Sequence, residues 1–168
     1  MDDWQALCMA LGQALALEDR EELWGEVRQA IEQPAQYLDR FADDLVNRGM
    51  DEAEHVTPWL ALVEGLQRRR QNFELDWKLN MDDAIWALQQ LQTVQLRGLD
   101  WQALARSKAL NHEALQEAGD YLRSQNLDLV CFDIDSDSYP LSVLETSAVA
   151  PLQALAQRVG GKLVALHN

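Results

Sequence analysis

Three aspartates after an apolar segment have the spacing in this sequence that most suggests chemistry. Residues 127–134 are largely apolar, as expected of a covered strand, and they lead into Asp133, Asp135 and Asp137. In an extended chain, residues two apart project to the same face, with Cα atoms about 6.5–7 Å apart. Carboxylates placed in this way could hold a hard divalent cation such as Mg²⁺ or Ca²⁺. The three aspartates are therefore a candidate metal site.

The same segment also has the composition of a tight turn. Aspartate and serine alternate over 135–138, and the side chains of both residue types bond local backbone N–H groups in turns. Tyr139–Glu145 is predicted to be a second strand, so the turn would close a β-hairpin. Pro140 cannot donate to a ladder and is expected among the first residues of that strand or on an edge. The turn and the cation site are alternative hypotheses for the same three aspartates.

A second candidate is a contact surface around an aromatic residue. Trp77 lies between two opposite charges, and an exposed tryptophan is typical of an interface hot spot. The alternation of Phe73, Leu75 and Trp77 with charged residues instead predicts a half-buried strand with Trp77 on its core face. Among the helical tryptophans, Trp24 is expected to be the most exposed. The candidate interface residues are Trp24, Asp76, Trp77, Lys78 and Tyr139.

No other part of the sequence assembles reactive side chains. The three histidines are isolated, without the spacing of paired metal ligands, and no phosphate-binding glycine loop or nucleophile elbow occurs. Cys8 and Cys131 lie in apolar segments and are predicted to be small buried hydrophobes. We therefore predict no catalytic residue and no cofactor, with a divalent cation at the aspartates as the one exception. Whether the protein is an enzyme is left open, with a preference for a non-enzyme.

The charge of the chain indicates the sign of its partner. Asp and Glu number 28 against 14 Lys and Arg, a formal net charge of −14. Such a chain repels nucleic acid and anionic membranes, and it attracts a basic protein. No stretch reaches 18 apolar residues, and the first residues lack a signal-peptide pattern. A cytoplasmic location is expected; the oligomeric state is not predicted.

The hydrophobic patterning changes character near residue 70. Before it, apolar residues recur at i, i+3, i+4 and i+7, which predicts four helices. After it, strand patterns alternate with helical ones in the order strand, three helices, two strands, helix, strand. We predict an α+β fold, with a helical sub-domain over 1–70 packed against a small mixed sheet of about four strands in an α+β sub-domain over 71–168. The two parts are expected to share one core.

Two short motifs resemble those of a known family. They are Asp76-Trp77-Lys78 and the segment Asp133–Leu141, which includes Asp-Ser-Asp-Ser-Tyr. With the closing helix and strand, they are similar to a bacterial family of small cytoplasmic proteins defined only as a domain of unknown function, over about residues 70–168. The resemblance implies an α+β domain with the aspartates near one end of the sheet. It implies no activity.

These observations favour one class of function over another. The first expectation is a non-enzymatic binding or regulatory protein that uses its acidic surface to attract a basic partner. Immunity proteins that neutralise basic toxins are similar in size and charge, though not in motif. The alternative is a metal-assisted hydrolase, or a ligand site, built on Asp133, Asp135 and Asp137.

Overall fold

The basic triplet at 68–70 marks the division of the chain into two units. The computed structural model describes all 168 residues, and they form the units Met1–Arg68 and Arg69–Asn168. The first unit contains 15 acidic and 5 basic residues, a net charge of −10; the second contains 13 and 9, a net charge of −4. Most of the negative charge therefore lies on the first unit.

The first unit is entirely helical. Its elements are α1 (Asp2–Leu11), α2 (Leu17–Glu32), α3 (Pro34–Arg40), α4 (Ala42–Val46), a 3-10 turn (Ala53–His55) and α5 (Pro58–Arg68). The apolar spacing from Leu38 to Leu45 predicts one of the four helices. That helix is divided in two at Phe41, whose backbone leaves the helical region. A threonine just before a helical pattern predicts an N-cap, and Thr57 caps α5, since its Oγ1 accepts a hydrogen bond from Leu60 N at 3.1 Å.

The second unit contains the sheet and four helices. Its elements are β1 (Phe73–Leu75), α6 (Met81–Gln89), α7 (Gln92–Gln95), a 3-10 turn (Leu104–Arg106), α8 (Asn111–Ser124), β2 (Leu127–Phe132), β3 (Tyr139–Glu145), α9 (Thr146–Arg158) and β4 (Leu163–Ala165). None of the nine helices of the chain combines the length and the apolarity needed to cross a lipid bilayer.

The caps of two helices show where local signals succeed and fail. Asn80 forms a capping box on α6, accepting from Asp83 N at 3.0 Å and donating its own N–H to Asp83 Oδ2 at 2.9 Å. The sequence also predicts an N-cap at Asn111 for α8, because asparagine favours that position. Its Oδ1 instead accepts from Leu79 N at 3.2 Å, and its φ of 53° lies in the left-handed region. This tertiary contact replaces the predicted cap.

The sheet confirms the α+β class and the four strands, with every strand pair antiparallel. The order is β1-β3-β2-β4. β2 and β3 form the predicted hairpin, and β4 pairs with the other side of β2. A mixed sheet was expected, and that detail of the prediction is wrong. Helix α9 joins two strands of the same direction, β3 and β4. The two strands are not neighbours, since β2 lies between them, and no parallel pair results.

Helix α8 covers the sheet through a close backbone approach. Leu115, Ala118 and Leu122 of this helix are fully buried in the core of the second unit. A Cβ atom added to Gly119 would lie 1.6 Å from the carbonyl oxygen of Leu166. Only glycine permits this approach, which holds the chain after β4 against α8.

Candidate functional site

The end of the sheet where β1 stops and β3 begins carries both sequence motifs. Leu75 and Tyr139 are partners in the register, so the Asp76-Trp77-Lys78 segment leaves the sheet next to the hairpin turn. The Ser138 hydroxyl donates a hydrogen bond to Glu74 Oε1, which ties the turn to β1. The antiparallel pairing of β1 with β3 thus brings together two motifs that are far apart in the sequence.

The first aspartate of the hairpin turn, Asp133, accepts two hydrogen bonds. Asp133 Oδ1 accepts a hydrogen bond from Asp135 N at 3.2 Å, and Asp133 Oδ2 accepts one from Lys162 Nζ at 2.9 Å. These two hydrogen bonds, that from Lys162 first, lower the pKa of Asp133 below its ordinary value. Asp135 has a φ of 54°, a left-handed conformation that aspartate tolerates in tight turns.

The cation site considered from the sequence is not formed by these residues. The structure has no group of three or more His, Cys, Asp or Glu side chains that could hold a metal ion. The left-handed backbone at Asp135 ends the extended geometry that would place Asp133, Asp135 and Asp137 on one face. Asp135 and Asp137 are exposed, and Lys162 neutralises Asp133. The hydrogen bond between Asp133 and Asp135 and the left-handed backbone at Asp135 are those of a turn.

Trp77 is on the surface, and its predicted place on the core face of a strand is wrong. β1 ends at Leu75, before the alternation reaches Trp77, so the side chain is free to leave the sheet and is 46% exposed. The Nζ of Lys78 lies 4.8 Å from the centroid of the Trp77 ring. The backbone N–H of Lys78 donates to Asp76 Oδ1 at 2.9 Å and fixes the local turn.

A second exposed indole was missed by the sequence analysis. Trp86 on α6 is 56% exposed, and its ring meets that of Phe73 edge-to-face at a centroid distance of 5.2 Å. Trp24, which was expected to be the most exposed helical tryptophan, is half-buried. The position of Trp86 along the helix could have predicted its exposure. Ile85 and Leu88 face the core, and Trp86, one position after Ile85, lies on a different face of α6.

Tyr139, the last of the candidate interface residues, is half-buried at the start of β3. Its ring stacks on that of His112, with centroids 6.2 Å apart and planes inclined by 29°. His112 is exposed at the beginning of α8. The pair covers the sheet end beside the motifs and gives that surface a further aromatic group.

Neither cysteine is a reactive thiol. Burial raises the pKa of Cys8 to about 12, and it raises the pKa of Cys131 to about 12 as well. Both side chains are free rather than disulfide-bonded, and Cys131 is half-buried where full burial was expected. At neutral pH these thiols stay protonated, and the protonated form is a poor nucleophile.

The first unit contains a buried charge network that the sequence analysis did not find. Glu26 on α2 and Glu64 on α5 are only 5% and 7% exposed. Arg68 Nη2 lies 2.7 Å from Glu26 Oε2, and Arg48 pairs with Glu64. The sequence contained one indication of this network. Glu26 lies within the apolar stripe of α2, directly before the buried Val27, and a charge in that position needs a partner.

Arg68 is the centre of this network. It also lies 3.3 Å from Asp44 Oδ2, and its guanidinium stacks over the Phe41 ring at 4.0 Å. Burial, the largest single effect, would lower the pKa of Arg68, but the interactions with Glu26 and Tyr37 together outweigh it and raise that pKa. The hydroxyl of Tyr37 is buried without a hydrogen-bond partner, and burial raises its pKa despite the nearby Arg68. A protonated Tyr37 and a charged Arg68 are therefore the stable forms.

The fold and the sheet end define a small acidic α+β protein with one exposed indole beside a hairpin turn and a second on α6. A family model described as a domain of unknown function, DUF6630, matches residues 4–166, and the chain belongs to that family. This confirms the resemblance to a family of unknown function and extends it from about residues 70–168 to include the N-terminal helices. No curated protein and no solved structure matches the chain.

Proposed function

We propose that this protein is a non-enzymatic binding protein that captures a basic protein on the second unit. The contact centre is the tryptophan surface, which we define as Phe73, Asp76, Trp77, Asp82 and Trp86. The observation that carries the proposal is the exposure of two indoles, 46% at Trp77 and 56% at Trp86. Tryptophan is the residue type most enriched at interface hot spots.

Carboxylates accompany both indoles. Asp76 directly precedes Trp77, and Asp82 lies one helical turn before Trp86 on α6, so the i, i+4 spacing places the two side chains on one face. Both aspartates are exposed. An arginine or lysine of a partner would find a carboxylate next to an aromatic ring at two points of this surface.

The Trp77 ring already binds a cation within the chain. Lys78 Nζ lies over it at 4.8 Å, the geometry of a cation–π contact. Both side chains are exposed, so a partner's guanidinium can displace Lys78 from the ring. This exchange favours Arg over Lys in the partner, because the planar guanidinium stacks on aromatic faces.

The net charge of −14 supports a basic partner over other classes. It accelerates association with a cationic protein, and this effect weakens as salt screens the field. A second copy of the chain would bring Asp76 and Asp82 against like charges, and nucleic acid would be repelled. Neutralisation of a basic toxin is one activity that belongs to this class. The hydrolase alternative is not proposed, because Asp133 is paired with Lys162 and the three aspartates form no group that could hold a metal ion.

The test is co-purification with the tagged full-length chain from the cells that express it, at low and at high salt. We expect one basic protein in stoichiometric amount at low salt, with recovery reduced at least tenfold by Trp77→Ala combined with Trp86→Ala. Leu96→Ala is the matched control, because Leu96 is 75% exposed and lies outside the tryptophan surface. Equal recovery with the double variant, or no stoichiometric partner, would contradict the proposal.

A further inference from the structure

A cleft on the first unit gathers two arginines in the most acidic part of the chain. Its volume is about 300 Å³, and it is lined by Gly25, Arg28, Gln29, Glu32, Gln33 and Arg40. This volume is at the lower end of the range of small-molecule sites. Four of the lining residues, at positions 25, 28, 29 and 32, follow the i, i+3, i+4, i+7 spacing of one face of α2.

These two arginines differ from the others in the unit. Arg48 and Arg68 hold buried glutamates, and Arg20 donates to backbone carbonyl oxygens. Arg28 and Arg40 form no ion pair, although the unit has 15 acidic residues against 5 basic ones. Their charges are therefore available to a ligand in the cleft.

Arg40 is oriented from two sides. Its Nη1 donates to Gln29 Oε1 at 3.2 Å, and its guanidinium lies over the Phe41 ring at 4.8 Å. These contacts restrict the side chain and leave further N–H donors of the guanidinium unused. An arginine held in this way can bind an oxyanion through two parallel hydrogen bonds.

We propose that this cleft binds a small ligand through a phosphoryl group, with Arg28 and Arg40 as its two cationic contacts. Two guanidiniums match the charge of a phosphate dianion, and each can donate to two of its oxygens. Glu32 and the net charge of −10 on the unit repel extended polyanions, so a compact anion that touches both arginines is favoured over nucleic acid. This site is independent of the tryptophan surface.

Gly25 keeps the cleft open. A Cβ atom built on it meets no atom within 4 Å, so a longer side chain there would extend into free space in the cleft. Gly25 lies inside α2, where most residues favour the helix more than glycine does. The variant Gly25→Leu is therefore expected to fold and to occlude the site.

The test is isothermal titration calorimetry of the full-length chain with inorganic phosphate, against sodium chloride at the same ionic strength. We expect saturable one-to-one binding that is weakened at least tenfold in Arg28→Gln, Arg40→Gln and Gly25→Leu. Arg106→Gln, which removes an exposed arginine from the second unit, is the matched control and should bind as wild type does. Arg28 is exposed, so its substitution is not expected to unfold the chain, and its variant remains informative if another does not fold.

Three outcomes would overturn the proposal. The first is a heat of titration with phosphate that is no larger than the heat of titration with sodium chloride. The second is an affinity for phosphate in Arg28→Gln and Gly25→Leu equal to that of the wild type, which would place the anion elsewhere. The third is binding of malonate at least as tight as that of phosphate, because a dicarboxylate preference contradicts the assignment of a phosphoryl group.

Discussion

The two units stabilise buried polar side chains in different ways. In the first unit, the buried groups are charged: Glu26 pairs with Arg68 and Glu64 with Arg48, and the two glutamates are 5% and 7% exposed. Each pair joins positions far apart in the sequence, with Arg68 and Glu64 both on α5. The arginine side chains are longer than those of the glutamates and reach the surface, so each pair is buried at its carboxylate end only.

In the second unit, the buried polar cluster is neutral. Asn72 and Ser142 are each 3% exposed, and Asn72 Nδ2 donates to Ser142 Oγ at 3.2 Å. The same Ser142 hydroxyl donates to the carbonyl oxygen of Gln71 at 2.6 Å. The main exception is Asp128, a buried carboxylate whose Oδ1 lies 4.0 Å from Arg123 Nη1.

The difference indicates how each unit responds to substitution. Removing one partner of a buried ion pair leaves a charge without compensation, which costs about 3–5 kcal/mol. Removing one partner of a neutral hydrogen bond leaves a dipole, which costs about 1–3 kcal/mol. The first unit should therefore be the more sensitive of the two to loss of a single polar side chain.

The largest expected effect is that of Arg68→Ala. It leaves Glu26 buried without its main cation and removes the contact with Phe41, so we expect a loss of about 3–4 kcal/mol in the free energy of unfolding. Urea denaturation monitored by circular dichroism measures it. In the control, Glu26→Leu combined with Arg68→Met replaces both charges by apolar groups and should recover at least half of the loss. A loss below about 1 kcal/mol for Arg68→Ala would show that the pair is not stabilising.

A smaller effect is expected for Ser142→Ala in the second unit. It leaves the Gln71 carbonyl and the Asn72 amide without this partner, for a loss of about 2 kcal/mol. Because no group of the cluster titrates, the loss should be equal at pH 5 and pH 8 in the same urea experiment. Ser124→Ala, at the exposed end of α8, should change the stability by less than about 0.5 kcal/mol. A loss that varies with pH would contradict the neutral description of the cluster.

The smallest effect concerns an exposed ion pair in the second unit. Lys162→Ala removes the main cause of the lowered pKa of Asp133, so that pKa should rise toward the ordinary value of about 4. Since the folded-state pKa lies below the unfolded one, the stabilisation by ionised Asp133 is present above about pH 4 and is lost as the pH falls through the folded-state pKa. A carboxyl-detected NMR titration measures the shift, with Lys108→Ala as the control. An unchanged pKa in Lys162→Ala would refute the assigned cause.

Local signals in the sequence predicted much of the second unit. An asparagine before a helical pattern predicts an N-cap, and Asn80 caps α6. Asp83 completes a capping box, because the two side chains satisfy each other's backbone N–H groups within one turn. The apolar β2 and the Asp-Ser turn give the hairpin, which confirms the strand pair. The exposure of Trp77 was not predictable from alternation, since the strand ends two residues earlier to let the chain reach Leu79 and its contact with Asn111.

The sequence by itself determined the helix and strand content, the change of character near residue 70, the acidic charge and the hairpin, because each depends on neighbours within a few positions. Only the tertiary structure decided that Glu26 meets Arg68, that the Asp-Trp-Lys segment lies beside the hairpin turn, and that Arg28 and Arg40 line one cleft. Such contacts depend on how helices and strands pack in three dimensions. Residue spacing along the chain contains too little information to specify that packing.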